Sequence, residues 1–347
     1  MNIEPDCSGS TMRSEIIDIP DALQRLLDQS GSAIKNAADE LANLQPRFIS
    51  TIARGSSDHA CSYLKYAIEL SAGIPVASIG PSIASIYDVT LKLPNSASIA
   101  ISQSGRSPDI VAMANSTKLG GALPIAITND PLSPLASVCS HTINICAGSE
   151  KSVAATKTFV NCITSGLLLL AHWMKDAQLL AALHNLPQQA ASGINCNWDN
   201  LSERLVDARS LLILGRGPSV AIASEVALKF KETCQIHAES YSSAEVLHGP
   251  VSIVGENFPV LVLAARDASQ PSIIATADQL AQQGADVFVT SQNVRYAQQL
   301  PFIATSHPLT DPLLLVISFY SFIENLAIRR GRDPDTPPNL KKVTETI

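Results

Sequence analysis

Residues 48–55 read FISTIARG, and residues 210–217 read SLLILGRG. Each stretch is a short apolar run that ends in an arginine and a glycine, which is typical of a buried strand followed by a tight turn. The two arginines, Arg54 and Arg216, lie 162 positions apart. This pairing predicts that the chain contains two copies of one structural unit.

Further segments repeat at the same spacing. Residues 99–102 (IAIS) correspond to residues 261–264 (LVLA), and residues 127–128 (IT) correspond to residues 289–290 (VT). Helix-length segments separate these short β-branched strands. In the first copy we expect strands at 48–53, 97–101 and 123–128, an extended segment at 75–79, and helices at 58–72 and 108–119. Alternating strands and helices predict an α/β fold, with a parallel sheet covered by helices on both faces.

The length of 347 residues is sufficient for two domains of ordinary size. We predict a first domain at residues 36–183 and a second at residues 200–330. Residues 184–200 are the predicted linker, and residues 331–347, rich in proline and charge, are predicted to form an extended C-terminal tail. Composition alone leaves open whether this tail is ordered.

The strand at 97–101 runs directly into a hydroxyl-rich turn. Residues 99–107 read IAISQSGRS, so that Ser102, Gln103, Ser104 and Ser107 surround Gly105, and a helix is predicted to begin at the next residue. Hydroxyls, free N–H groups and a helix N-terminus suit a small anion. Because the turn has no lysine and no nucleotide-binding glycine motif, a phosphomonoester fits better than a nucleotide. An ordinary polar loop is the alternative.

The second copy carries a different sequence at the equivalent turn. There, residues 264–269 read AARDAS, and most of the hydroxyls are missing. We therefore expect one anion site in each chain, in the first copy, at the carboxyl ends of strands where the strand order switches.

The fractions of charged and apolar residues indicate which classes of binding partner the protein has. Charged residues make up 16% of the chain, apolar residues make up 46%, and the net charge is −7. This balance argues against a nucleic-acid or anionic-membrane partner, and it favours large buried areas that include a subunit interface. The longest apolar run, around residues 166–171, is far too short to span a membrane.

The cysteines and the start of the chain bear on location. The seven cysteines form no C-x-x-C pair, and we predict reduced, mostly buried thiols of a cytoplasmic protein. The start of the chain does not resemble a signal peptide, because it has neither a basic segment nor an apolar core.

Two serine-containing stretches precede predicted helices. Ser56 and Ser57 follow the first strand, and residues 149–157 read SEKSVAATK. Serines at such positions commonly cap the helix N-terminus. Because a capped N-terminus also attracts anions, Ser56 and Ser57 could converge with residues 102–107 on one phosphate. The residues alone leave both interpretations open.

A charged stripe occurs in the second copy. Glu225, Lys229 and Glu232 share one helical face at spacings of four and three. Such a stripe is either a solvated face or a lysine held between carboxylates in a cleft, with one glutamate as a base. His248, before a Gly-Pro turn, could relay protons near neutral pH. His237 could equally be structural. No set of His, Cys and carboxylates has metal-ligand spacing, so we predict no metal and no cofactor.

Together these segments resemble the sugar isomerase (SIS) domain family, from about residue 14 to the C-terminus. The motifs that carry the likeness are RGSS at 54–57, SQSG at 102–105, Glu150 with VAATK at 153–157, LGRG at 214–217, ALKFKE at 227–232, HAE at 237–239, HGP at 248–250 and NLKK at 339–342. Two tandem copies are similar to the isomerase half of glucosamine-6-phosphate synthases. The resemblance implies two tandem SIS domains, each an αβα sandwich.

The resemblance also implies a set of site residues. The sugar phosphate would be bound by Ser56, Ser57, Ser102, Gln103, Ser104, Ser107, Val153 and Ala155. Glu232 would move a proton between C1 and C2 with the help of Lys229, and Lys342 matches a lysine that forms a Schiff base with the keto sugar. His248 would open the sugar ring from the neighbouring subunit, so the family implies a homodimer with shared active sites.

The reaction follows from what is missing relative to the synthases. Only about a dozen residues precede the shared segment, and Cys7 is internal, so we expect no glutamine-derived ammonia. The resemblance then implies a glucosamine-6-phosphate deaminase of the second type, which produces fructose 6-phosphate and ammonia.

Two residues depart from the synthase pattern, because Leu247 replaces a lysine and Ala155 replaces a serine. A deaminase for galactosamine 6-phosphate, a fructosamine-6-phosphate deglycase and a non-catalytic sugar-phosphate sensor remain the alternatives.

Overall fold

The computed structural model describes residues 9–342, in which two parallel sheets of five strands are flanked by helices. The first half comprises α1 Thr11–Ile17, α2 Ile19–Gln29, α3 Gly31–Leu44, β1 Ile49–Ile52, α4 Gly55–Ala72, β2 Val76–Ser78, α5 Ser82–Ser85, β3 Ser96–Ile101, α6 Pro108–Leu119, β4 Ala122–Thr128, α7 Pro134–Val138, β5 His141–Asn144 and α8 Lys157–Met174. The predicted α/β class is confirmed, and the predicted strand positions of the first copy agree to within one residue.

Two helices, α9 Ala177–His184 and α10 Leu186–Gly193, connect the halves. The second half comprises α11 Asp199–Leu205, β6 Ser210–Gly215, α12 Ser219–Cys234, β7 His237–Ser242, the 3₁₀ helices Glu245–His248 and Pro250–Ile253, β8 Pro259–Val262, α13 Gln270–Gln282, β9 Asp286–Val289, β10 Gln298–Gln299 and α14 Asp311–Arg329. Residues 184–200, the predicted linker, contain α10, a helix that was not predicted. α10 forms there because Leu186 and Ala190 bury one face of the helix.

The two sheets have the same topology. The first has the order β2-β1-β3-β4-β5, and the second, read from its other edge, has the equivalent order β7-β6-β8-β9-β10. The duplication predicted from the 162-residue spacing matches this order, because β1, β3 and β4 correspond to β6, β8 and β9. In each sheet the chain leaves the first strand to one side and returns on the other, so a switch point lies between β1 and β3.

The halves share one continuous apolar core. Helix α8 is buried along its first fifteen residues and packs against α4. Helix α4 of the first half packs in turn against α12 of the second, and α12 packs against α14. The ring of Phe230 on α12 lies 5.3 Å from that of Phe319 on α14, and both are fully buried.

Within residues 9–342, one helix is long and apolar enough to cross a membrane by length and composition alone. This helix, α14, has 89% of its apolar window buried inside the protein, which is the pattern of a core helix. Its polar residues Ser318, Ser321 and Glu324 are also buried.

The cysteines that the structure describes are all free thiols. Cys61, Cys146, Cys162 and Cys234 are buried, Cys139 and Cys196 are partly exposed, and Cys7 lies outside the described residues. Burial raises the pKa of the Cys139 thiol to about 12 and that of Cys234 to about 11, so both are neutral at physiological pH.

Candidate active site

The hydroxyl-rich turn after β3 has a tight conformation that depends on glycine. Gly105 has a φ of +61°, and a Cβ there would lie 2.2 Å from the Ser133 hydroxyl oxygen. The Gly105 N–H donates to the Ser102 hydroxyl at 3.2 Å, and the Arg106 N–H donates to the Ser104 hydroxyl at 3.3 Å. No other residue type satisfies both the backbone angle and the space, so Gly105 sets the shape of the turn.

The start of α4 lies beside this turn, because β1 and β3 are neighbours in the sheet. Ser56 and Ser57 occupy the first turn of α4, where backbone N–H groups have no helical partner. Arg54 precedes the helix, and its Nε donates to Asp109 Oδ2 at 2.9 Å. Asp109 is fully buried while half of the Arg54 side chain is exposed, so the ion pair joins the starts of α4 and α6.

Two adjoining concavities lie at the carboxyl ends of β1 and β3. The main cavity has a volume of about 370 Å³ and is lined by Arg54, Gly55, Ser56, Ser57, Gln103, Ser107, Glu150, Val153, Ala155, Thr158, Lys229, Glu232, Leu340, Lys341 and Lys342. The side cleft, of about 130 Å³, shares several of these residues and adds Ile101, Ser102, Ser104 and Ile110. The main cavity has the size of a small-molecule site.

The predicted charged stripe on α12 faces this cavity and is not solvated. Lys229 is fully buried, and its Nζ lies 3.1 Å from Glu225 Oε1 and 2.7 Å from Glu232 Oε2. The same Nζ donates to the Ser56 hydroxyl at 3.1 Å, across the boundary between the halves. Lys229 therefore holds the Glu232 carboxylate at a defined position on the cavity wall.

Neighbouring charges shift the pKa values of Lys229 and Glu225 in opposite directions. Burial alone would lower the pKa of Lys229, but Glu225 and Glu232 outweigh it and raise that pKa well above the usual range. Burial likewise favours a raised pKa for Glu225, yet Lys229 and His59 hold it below its usual range. Lys229 is thus a permanent cation and cannot act as the base.

A second buried carboxylate, that of Glu150, also lines the main cavity. Glu150 accepts hydrogen bonds from the N–H groups of Thr156 and Thr158 at 3.0 and 3.2 Å, and from Lys342 Nζ at 2.9 Å. Burial would raise its pKa, but Lys342 and the Thr158 hydroxyl outweigh that effect and lower it. The pair fixes the end of the described tail against the loop that carries Val153 and Ala155.

The structure brings nearly all of the predicted site residues together. The exception is His248, which is exposed in the first 3₁₀ helix and does not line either concavity of its own chain. His237 is largely exposed on β7.

Several residues of this region had no predicted role. Arg54 and Glu150 belong to the motifs quoted above, but no contact was predicted for either side chain. His59, whose Nδ1 lies 2.9 Å from Glu225 Oε2, was not identified from the sequence. The ion pair between Glu225 and Lys229 was indicated in the sequence by their four-residue spacing. In the part of the chain that the structure describes, no cluster of His, Cys, Asp and Glu could hold a metal ion.

The chain consists of two α/β halves of the same topology, with a hydroxyl-rich turn at the switch point of the first. Comparison with known sequences identifies the class of protein that has this architecture. A family model described as the SIS domain matches residues 44–172 and 204–294, one match in each half. The chain belongs to the SIS domain family.

Individual relatives agree with this assignment. Glutamine–fructose-6-phosphate aminotransferase (isomerizing) of Thermus thermophilus is 29% identical over 95% of this chain and 58% of its own length. The chain thus spans about three fifths of that curated relative.

Solved structures show the same fold. A crystal structure from Silicibacter pomeroyi DSS-3, described as a candidate phosphosugar isomerase, is 54% identical and superposes with a TM-score of 0.92, covering 94% of this chain and 100% of that one. Glucosamine-6-phosphate deaminase of Thermotoga maritima has a TM-score of 0.77 at 18% identity, covering 97% of this chain and 100% of that one.

Proposed function

We propose that this protein is a glucosamine-6-phosphate deaminase, which isomerises the amino sugar phosphate and releases ammonia to give fructose 6-phosphate. One observation carries the proposal: Glu232, held by a buried lysine, lines the same cavity as the hydroxyl-rich turn. A site with an anion cradle at one end and a carboxylate base at the other suits a sugar phosphate whose distal carbons react.

The phosphate occupies the side cleft in this proposal. Hydroxyls of Ser57, Ser102, Ser104 and Ser107 and the first-turn N–H groups of α4 and α6 supply the hydrogen bonds. Arg54, at the rim of the cleft, adds a positive charge near the phosphate. Because half of its side chain is exposed, the desolvation energy of this charge is small.

Glu232 transfers the proton. In the open-chain sugar it removes the proton from C2, the electron pair forms the C1–C2 double bond, and the carbonyl oxygen O1 takes up a proton from solvent, which gives an enolamine. Return of the Glu232 proton to C1, with loss of one proton from the nitrogen to solvent, gives a C1 alcohol and an imine at C2. Lys229 stays protonated throughout, so it stabilises the Glu232 carboxylate and orients it without exchanging the proton.

Water completes the reaction. Water adds to the C2 imine, and loss of ammonia from the resulting carbinolamine leaves the C2 carbonyl of fructose 6-phosphate. At low ammonia concentration, mass action favours this direction. Lys342 lines the main cavity, where its amine is bonded to Glu150. To form a Schiff base with the keto sugar, this amine would first have to break its contact with Glu150.

Ring opening requires a proton donor and acceptor at the ring oxygen and the C1 hydroxyl. We assign this step to His248 of a second copy of the chain, because His248 is exposed and lies outside the cavity of its own chain. The working unit in this proposal is a homodimer with shared sites, located in the cytoplasm.

Ammonia release from purified protein tests the proposal. Wild-type protein is given glucosamine 6-phosphate without added metal or nucleotide, and the variants Glu232→Gln and Glu203→Gln are compared with it. Glu203 is exposed on α11, so the control variant should match the wild type. Glu232→Gln should lower turnover by a factor of about 10²–10⁴ while substrate still binds. Turnover by Glu232→Gln above a tenth of the wild type contradicts the assignment of the base.

The substrate itself is tested on a panel. Galactosamine 6-phosphate and a fructose-linked amino acid 6-phosphate serve as the competing substrates, because Ala155 and Leu247 depart from the synthase pattern. Ammonia or amine release from one of these, without release from glucosamine 6-phosphate, rejects the proposed substrate. Binding without any release favours a sensor.

A further inference from the structure

The N-terminal helix α1 contacts one wall of the main cavity through a buried carboxylate. Glu15 is 5% exposed and accepts hydrogen bonds from the N–H groups of Lys151 and Ser152 and from the Ser152 hydroxyl. These residues belong to the loop that begins at Glu150 and continues to Val153. A carboxylate that faces only donors is well suited to fix this loop.

The same helix contacts the C-terminal tail through its first N–H groups. Asp335 accepts hydrogen bonds from the backbone N–H groups of Thr11 at 2.7 Å and of Met12 at 2.8 Å. Asp333 in turn accepts from the Asp335 N–H at 2.9 Å and from the Thr336 hydroxyl, so the carboxylate is presented by an ordered turn. A negative charge at this position is also favoured by the helix dipole.

These contacts close a circuit around the site. Glu15 is hydrogen-bonded to Ser152, the backbone of the loop links Ser152 to Glu150, and Glu150 is bonded to Lys342 Nζ of the tail. Seven residues before Lys342, the tail returns to α1 at Asp335. Both the loop and the tail that line the main cavity are therefore anchored to one short helix, which does not itself line that cavity.

We propose that Glu15 and Asp335 are positioning residues that hold Lys342 against Glu150, and that α1 acts as a clamp on the site. The catalytic consequence rests on the proposed function; the anchoring of the tail does not. Glu15→Gln keeps the shape but removes the negative charge that strengthens the hydrogen bonds from Lys151 and Ser152. Asp335→Asn also removes a negative charge, and it leaves one oxygen for the two N–H groups of α1, so that one of them faces an NH₂ group.

Hydrogen exchange of the full-length protein measures the clamp directly. We compare wild type, Asp335→Asn, Glu15→Gln and the control Asp28→Asn, whose exposed carboxylate accepts only from Gln24 on the same helix. Loss of a hydrogen bond to a charged group should raise exchange of the tail amides 333–342 about tenfold in both test variants. The hydroxyl-rich turn and the control variant should show wild-type exchange.

Kinetics supply the second readout. We expect kcat of Asp335→Asn to fall about tenfold, with partial recovery in Asp335→Glu, while the unfolding midpoint stays at the wild-type value. Should Glu15→Gln not fold, Asp335→Asn carries the test, because its side chain is at the surface.

The outcomes are separable. Unchanged tail exchange in Asp335→Asn overturns the clamp, and so does a freed tail with wild-type kcat. Absence of ammonia release from the wild type counts against the proposed function, and the exchange experiment still decides the clamp.

Discussion

Replacing Lys229 by methionine tests the electrostatic arrangement between the two halves. Lys229 and Glu225 are both fully buried, and their charged atoms lie 3.1 Å apart. Methionine fills the volume of the lysine stem but leaves the Glu225 carboxylate without its main counter-charge. Its remaining donors are His59 at 2.9 Å and the Tyr320 hydroxyl at 3.4 Å.

The magnitude follows from these contacts. Removal of one partner from a buried ion pair costs about 3–5 kcal/mol, mostly because an uncompensated charge stays buried. Because His59 and Tyr320 still contact Glu225, we expect the lower end, about 3 kcal/mol. The double variant Glu225→Gln/Lys229→Met removes both charges of this pair and should recover at least half of that loss, since removal of both partners is often nearly neutral.

Urea unfolding followed by far-UV circular dichroism measures both variants at pH 8 and pH 5. Without Lys229, burial should raise the pKa of Glu225 above its unfolded value near 4.5. The destabilisation of Lys229→Met should then be largest at pH 8 and smaller at pH 5, where the carboxyl takes up a proton. A double variant as unstable as Lys229→Met would refute the reasoning, because the loss would then come from packing.

Further perturbations address other parts of the site. Gly105→Ala should destabilise the protein by about 2 kcal/mol or more and abolish phosphate binding, checked by thermal unfolding and by titration with inorganic phosphate; wild-type behaviour would contradict the role of the turn. Glu150→Gln should cost stability at pH 7 and progressively less as the pH falls below about 4.5, because a carboxyl with a lowered pKa loses its contribution as the pH falls through its folded-state pKa; a loss that stays constant down to acid pH would contradict this. A mixture of Glu232→Gln and His248→Ala chains should recover roughly a quarter of wild-type activity, since half of the dimers are mixed and each has one intact site. No recovery after reassembly would exclude sharing of His248.

The sequence contained enough to predict the architecture. Apolar strands at constant spacing predicted the duplication because parallel strands buried on both faces leave a continuous hydrophobic signal. The turn around Gly105 was predictable because a glycine among hydroxyls, between a strand and a proline-initiated helix, has few other structural uses. The sequence left open whether the ends of β1 and β3 are neighbours, because it does not determine the strand order, and the sheet places them side by side.

Other features depended on contacts that no local pattern contains. The burial of Glu225 and Lys229 requires α4 of one half to cover α12 of the other, and the stripe alone equally suited a solvated face. The contact of Asp335 with α1 joins residues more than 300 positions apart. α10 was missed because proline, glycine and polar residues at 184–200 outweighed its two buried apolar positions in the local pattern.

The division of labour between the two copies has an evolutionary consequence. The hydroxyl-rich turn is present only in the first copy, and the pair of Lys229 and Glu232 only in the second, yet the Lys229–Ser56 contact joins them. Because one chain always holds both copies together, neither copy needs a complete set of these residues. Each copy is therefore free to diverge at positions where the other supplies the residue.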